Sequence, residues 1–170
     1  MPLTRADLMA RLDALGIATT TFEHPPVFTV EEARAHCAHL PGGHCKSLFL
    51  KDKKDRLWLV VARDDQRVDL KALGRRLGAG NLSFGKPELL LEVLGVTPGS
   101  VTPFGLANDA GRRVNVVLDA GMLKHAVLNY HPLTNDATTA IAPADLRRFI
   151  DATGHAVQVV DLDAPADAPA

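Results

Sequence analysis

Lys46 interrupts a stretch that otherwise reads as a buried strand, Cys45-Lys46-Ser47-Leu48-Phe49-Leu50, directly after the turn Pro41-Gly42-Gly43. Side chains alternate across a strand, so this lysine shares a face with Leu48 and Leu50. An ammonium on an apolar face is paired, carried out to water on its stem, or kept for chemistry. The residues alone leave all three open. Two other segments carry useful groups. Gly99-Ser100-Val101-Thr102-Pro103 starts with a glycine whose backbone can approach a ligand and ends on a proline that fixes the loop, though a plain turn would look the same. Asn129-Tyr130-His131-Pro132 puts an imidazole, of ordinary pKa about 6.5, on the restricted backbone that precedes a proline. Asn129 lies two residues earlier, on the same face of a regular strand.

The elements that must position these groups can be read from pattern. Thr4 can cap a helix through Leu15, with Leu8, Leu12 and Leu15 on one stripe and Gly16 as the stop. Thr19–Phe22 reads as a short strand, His24-Pro25-Pro26 as an extended loop, and Thr29-Val30-Glu31-Glu32 as a capping box opening a helix to about His39. After the Lys46 strand, Lys51–Arg56 is a charged hairpin turn and Leu57–Ala62 a central returning strand. Helices are expected over Leu70–Leu77 and Lys86–Leu94. Val101–Leu106 reads as a strand joined through the turn Asn108–Gly111 to a partner at Val114–Leu118. Strands at Ala126–Tyr130 and Thr138–Ile141, a helix at Ala144–Ala152 and a strand at Val157–Asp161 follow. The class is α+β: a mixed, largely antiparallel sheet with helices packed around it. One domain spans residues 1–162, and the remainder, 163–170, reads as a disordered tail of Ala, Pro and Asp.

Composition excludes several classes. With 170 residues, 46% of them apolar, the chain can bury a core unaided. Its net charge of −1 does not announce a nucleic-acid binder, but Asp161–Ala170 holds three of the 20 acids and no base, so the rest carries 19 bases against 17 acids. Lys46, Lys51, Lys53, Lys54 and Arg56 crowd into one short segment, a possible local basic patch. No run approaches the roughly 18 apolar residues of a membrane span, and no signal-peptide core follows Met1. The two cysteines, Cys37 and Cys45, make no disulfide framework, so a reducing cytoplasm is the default. The cluster His36-Cys37, His39 and His44-Cys45 has no standard zinc spacing, and neither a metal nor a cofactor is expected.

The chain resembles the bacterial prolyl-tRNA editing family, the insertion domain of prolyl-tRNA synthetase and its free-standing relatives. The likeness covers roughly residues 4–162 and rests on ordered motifs: His24-Pro25-Pro26, Gly-Gly-x-x-Lys at Gly42–Lys46, and Leu48-Phe49-Leu50-Lys51-Asp52-Lys53-Lys54. Leu82-Ser83-Phe84, Gly-x-x-x-Pro at Gly99–Pro103 with Phe104-Gly105, and Asn129-Tyr130-His131-Pro132-Leu133-Thr134-Asn135 continue it. By pattern it is most similar to the free-standing alanyl-tRNA(Pro) deacylases, although Ser47 stands where such members often have Asn.

The resemblance implies hydrolysis of the aminoacyl ester at the tRNA 3′ end. A synthetase pocket built for proline rejects the smaller alanine poorly, since such differences are worth only about 1–3 kcal/mol, and a second, smaller pocket completes the sieve. In this reading Lys46 supplies positive charge to a phosphate or the carbonyl oxygen, Gly99 offers backbone N–H groups, and His131 orients water or contacts the substrate amine. Ser47, Thr102, Pro103, Asn129 and Asn135 surround the substrate, while Phe28, Val30 and Ala33 shape the pocket. Lys51, Lys53, Lys54 and Arg56 are candidate tRNA contacts. The implied partners are tRNA(Pro) charged with alanine and, transiently, prolyl-tRNA synthetase, with the chain acting as a monomer. The rival reading is a non-catalytic module that grips tRNA or a nucleotide through basic surface, including Lys71, Arg75, Arg76, Arg112 and Arg113.

Overall fold

Thr4 opens α1 (Arg5–Ala14) through a reciprocal capping box: its hydroxyl accepts from the Asp7 N–H, and the Asp7 carboxylate accepts from the Thr4 N–H. The computed structural model describes residues 1–163 and their side chains except that of Val30; the expected tail lies, from Ala164 onward, outside the described residues. After α1 come β1 (Thr20–Glu23), α2 (Val30–Cys37), β2 (Gly43–Lys51), β3 (Leu57–Arg63), α3 (Leu70–Leu77), β4 (Ser83–Phe84) and α4 (Pro87–Leu94). Two 3-10 turns, Pro98–Ser100 and Pro103–Asn108, lead to β5 (Val114–Asp119), and a third, Met122–Lys124, leads to β6 (Leu128–Tyr130). β7 (Ala137–Ile141), α5 (Pro143–Thr153) and β8 (Val157–Val160) follow.

The strands make one mixed sheet in the order β1-β7-β6-β2-β3-β5-β8, with β4 an additional neighbour of β2. Pairings β1/β7, β6/β7, β2/β3 and β2/β4 are antiparallel, while β2/β6, β3/β5 and β5/β8 are parallel. Helices cover both faces, as the α+β expectation requires. Leu8 and Leu12 of α1, Leu94 of α4 and Phe149 of α5 pack with Phe49, Leu59 and Leu118 on one face. Leu73 of α3 packs with Leu50, Val60 and Val117 on the other. This two-sided burial explains why β3 is apolar without alternation, buried from Leu57 through Ala62.

One expected strand is corrected. Val101–Leu106 is not extended but leads into a 3-10 turn, because Pro98 and Pro103 lack the N–H groups a ladder needs and fix φ near helical values. The Thr102 hydroxyl caps that turn, accepting from the Phe104 N–H at 3.3 Å. The hairpin expected around Asn108–Gly111 is therefore absent, and β5 instead lies parallel to both β3 and β8.

Candidate active site

The site starts from a break in the sheet. β2 pairs with β3 from Cys45 to Lys51, but on its other edge it meets β6 only at Gly43 and His44, and β4 only at Leu50 and Lys51. The Asp64 N–H donates to the His44 carbonyl (2.8 Å), and the Gly85 N–H donates to the Phe49 carbonyl (2.9 Å). Backbone groups alternate in direction along a strand, so the N–H and C=O of Ser47 address the gap rather than β3. The turn that feeds β2 is held by Asn129, whose Nδ2 donates to the carbonyls of Pro41 (3.1 Å) and Gly43 (3.2 Å). Gly42 in that turn has φ +98°, and a Cβ there would lie 2.5 Å from the Val127 carbonyl oxygen.

Two adjoining cavities open at this gap. One, of about 150 Å³, is lined by Lys46, His131 and Gly99 together with Phe28, Pro98 and Val27. The other, of about 60 Å³, reaches Cys37, Asp64, Asn129, Tyr130 and Thr138. Ala33, Cys45, Ser47, Val101 and His131 line both. Gly99 keeps the approach narrow: a Cβ on it would sit 3.1 Å from the Phe28 ring and 3.2 Å from Asn135 Nδ2. Asn135 ties this corner together, since its Nδ2 donates to the Val27 carbonyl and its own carbonyl accepts from the Val27 N–H. Phe28 stands exposed at the lip.

Lys46 leaves β2 on the face of Leu48 and Leu50, opposite to Cys45 and Ser47. Its ammonium is half-buried and donates to the Gln66 carbonyl at 2.5 Å. Burial lowers its pKa, opposed by the charges of Asp64 and Asp65. Lys46 thus contributes to the wall of the larger cavity while its ammonium is tethered to a carbonyl that lines neither cavity. His131 follows β6, and its Nδ1 lies 3.1 Å from the Ala137 carbonyl. A carbonyl only accepts, so Nδ1 carries the proton and Nε2 of the neutral ring is an acceptor. Burial holds the His131 pKa below the ordinary imidazole value, with nearby His24 acting in the same direction and the Ala137 bond against it. The unfolded chain takes up this proton first, so stability falls as pH drops from about 6.5 through the lower folded value. Urea midpoints should therefore decline more between pH 7 and pH 5 for the wild type than for His131→Gln; equal declines would show an unshifted ring.

Several expected site residues lie elsewhere. Thr102 and Pro103 are buried, line neither cavity and shape the 3-10 turn, which corrects their placement around the substrate. The Val30 side chain lies outside what is described. Lys51, Lys53, Lys54 and Arg56 cluster at the far end of β2, with Lys51 about 16 Å from Lys46 at the usual strand rise. Arg56 is corrected as a phosphate contact: its Nε donates to buried Asp52 (2.7 Å), its Nη2 to the Gly78 carbonyl (3.2 Å), and it packs over Trp58. Lys51 is 3.5 Å from Asp55. Burial pushes the Cys45 thiol up to about 12, so it is a protonated wall and no nucleophile. Among the described residues, no three His, Cys, Asp or Glu side chains converge as a metal site would need.

Sequence reasoning missed Asp64, Arg34, Cys37 and Thr138 as lining residues, and gave the His24 ring no role. That ring lies 6.5 Å from His131 and is held by the Thr138 hydroxyl at 2.9 Å. Asp64 had a signal: the β2–β3 hairpin pairs Lys46 with Ala62, which puts Asp64 opposite His44.

Comparison with known proteins gives a consistent answer. Residues 24–149 match the family described as the aminoacyl-tRNA editing domain. The chain is 47% identical to prolyl-tRNA synthetase associated domain-containing protein 1 of Danio rerio, over 94% of this chain and 88% of that protein. It is 37% identical to prolyl-tRNA editing protein ProX of Acetoanaerobium sticklandii, over 91% of this chain and 95% of that protein. The likeness is thus not confined to bacterial proteins. A crystal structure of a candidate trans-editing enzyme for prolyl-tRNA synthetase superposes with a TM-score of 0.70 at 24% identity, covering 95% of this chain and 98% of that one, which shows a shared fold.

Proposed function

Because the chain belongs to the aminoacyl-tRNA editing domain family, we propose that it is a free-standing hydrolase of mischarged prolyl tRNA, cleaving the ester of alanyl-tRNA(Pro). The observation that carries this reading is one cavity of about 150 Å³ lined jointly by Lys46, His131 and Gly99, beside a second of about 60 Å³. The larger accepts the terminal ribose ester and the smaller the amino acid. An aminoacyl ester is already activated by its ammonium, so a bound water suffices as nucleophile. Nε2 of His131 accepts a hydrogen bond from that water and orients it on the carbonyl carbon. The Ser47 N–H in the sheet gap opposes the charge that develops on the carbonyl oxygen, and the Lys46 ammonium joins it by turning from the Gln66 carbonyl into the cavity when substrate binds. Collapse of the intermediate releases alanine, and the 3′ oxygen of the tRNA leaves with a proton.

The smaller cavity has room for only a few water-sized groups, which suits a methyl and an ammonium but not a pyrrolidine ring. Cognate prolyl-tRNA is then spared by size. In this reading the protein works in the cytoplasm as a monomer and meets its substrate after release from prolyl-tRNA synthetase. The test is release of labelled alanine from alanyl-tRNA(Pro). Many turnovers per protein molecule are expected, with prolyl-tRNA(Pro) left intact. Stoichiometric tRNA retention without release would establish a non-catalytic binding module instead.

A further inference from the structure

The small cavity contains two acceptors that the hydrolytic mechanism does not use. Asn129 is 4% exposed, and both hydrogens of its Nδ2 are committed to the Pro41 and Gly43 carbonyls. Its Oδ1 accepts no hydrogen bond among the described residues, although the side chain lines the cavity. That oxygen is therefore an acceptor left open to whatever enters the cavity, where a donor can reach it. Asp64 lines the same cavity from the end of β3. Its carboxylate is paired on one side with Arg34 Nε at 3.2 Å across the cavity mouth, which leaves further lone pairs available. The ring of His131, neutral by burial, adds no positive charge there.

An acceptor oxygen and a carboxylate in one tight, partly dry space select a cationic donor. Resting on the deacylase reading, we infer that Asp64 and the Asn129 Oδ1 bind the α-ammonium of the esterified amino acid, making Asp64 a determinant of specificity for aminoacyl over hydroxyacyl esters. The pair fixes the Cα of the substrate, so that its side chain points at Ala33 and its carbonyl toward Ser47 and His131. Neutral acyl groups of the same size leave the Asn129 oxygen without a donor and Asp64 with only its standing cations, Arg34 and the more distant Lys46. Discrimination then comes from what the wrong substrate fails to supply.

The test compares alanyl-tRNA(Pro) with lactyl-tRNA(Pro), in which a hydroxyl replaces the ammonium. In Asp64→Asn, kcat/KM for the alanyl ester is expected to fall by about 10–30-fold while that for the lactyl ester changes less than about twofold. Arg34→Ala breaks the same ion pair from its other side and is expected to keep the alanyl-over-lactyl preference. If Asp64→Asn slows both esters equally, or Arg34→Ala erases the preference as fully, Asp64 only latches α2 to β3 and the inference is overturned. If the wild-type protein hydrolyses neither ester, the deacylase reading itself fails.

Discussion

Lys46→Ala is expected to lower kcat/KM for alanyl-tRNA(Pro) by about 10²–10³-fold, the scale of losing one preorganised group that stabilises developing negative charge. The fold should survive. A lysine whose pKa is depressed by burial is held as a cation at some cost at neutral pH, so its removal does not lower stability through that charge. Its neighbours on the sheet face, Leu48 and Leu50, tolerate a methyl. Lys46→Arg should rescue poorly: the planar guanidinium is longer and broader than an ammonium and spreads its charge, so it does not put a compact cation at the same point. Rates are to be read beside thermal or urea unfolding, so that chemistry and folding are separated. A loss below tenfold with stability intact would mean that the cation is not the group that stabilises the developing charge.

Much of this arrangement is legible from the residues because strand patterns are strong where burial is one-sided or complete. The Lys46 strand, its hairpin return and the shared face with Leu48 and Leu50 follow from alternation alone. Caps are legible for the same local reason: Thr4, Thr29 and Asp69 each accept from backbone N–H groups at the start of a helix. The segment Val101–Leu106 misleads, since its apolar and β-branched residues suit a strand while Pro98, Pro103 and the Thr102 cap turn it into 3-10 structure. Periodicity cannot weigh those local constraints against burial.

The pocket was less legible for a physical reason. Its walls come from α2, the β2–β3 hairpin, the Gly99 turn, the end of β6 and Thr138 of β7, and the hairpin meets β6 and β7 only through the pairing of β2 with β6. That parallel pairing is non-local and carries no turn signature. The gap in the β2 edge, which frees the Ser47 backbone, depends on β4, a two-residue strand too short to show in the pattern. Arg56 illustrates the converse error. As one of a run of bases it looks available to phosphate, yet Asp52 four residues earlier is buried and captures it.

Ala33→Leu is expected to reduce alanyl ester hydrolysis by about 100-fold, and the size of that effect tests the sieve. Ala33 faces both cavities from α2, half-buried, so enlarging it intrudes on the substrate rather than on the core. One methylene of mismatch in a small pocket is worth about 1–3 kcal/mol, and leucine brings three added carbons into a space of about 60 Å³. The glycyl ester, which lacks the methyl that leucine would displace, should lose less, so the glycyl-to-alanyl ratio of kcat/KM rises. Ala33→Gly should move the other way, admitting the 2-aminobutyryl ester that the wild type excludes. Measured across the three esters, the two substitutions must shift the preferred side-chain volume in opposite directions. Equal losses on every ester would place the acyl side chain away from α2 and leave its size to be read by another wall.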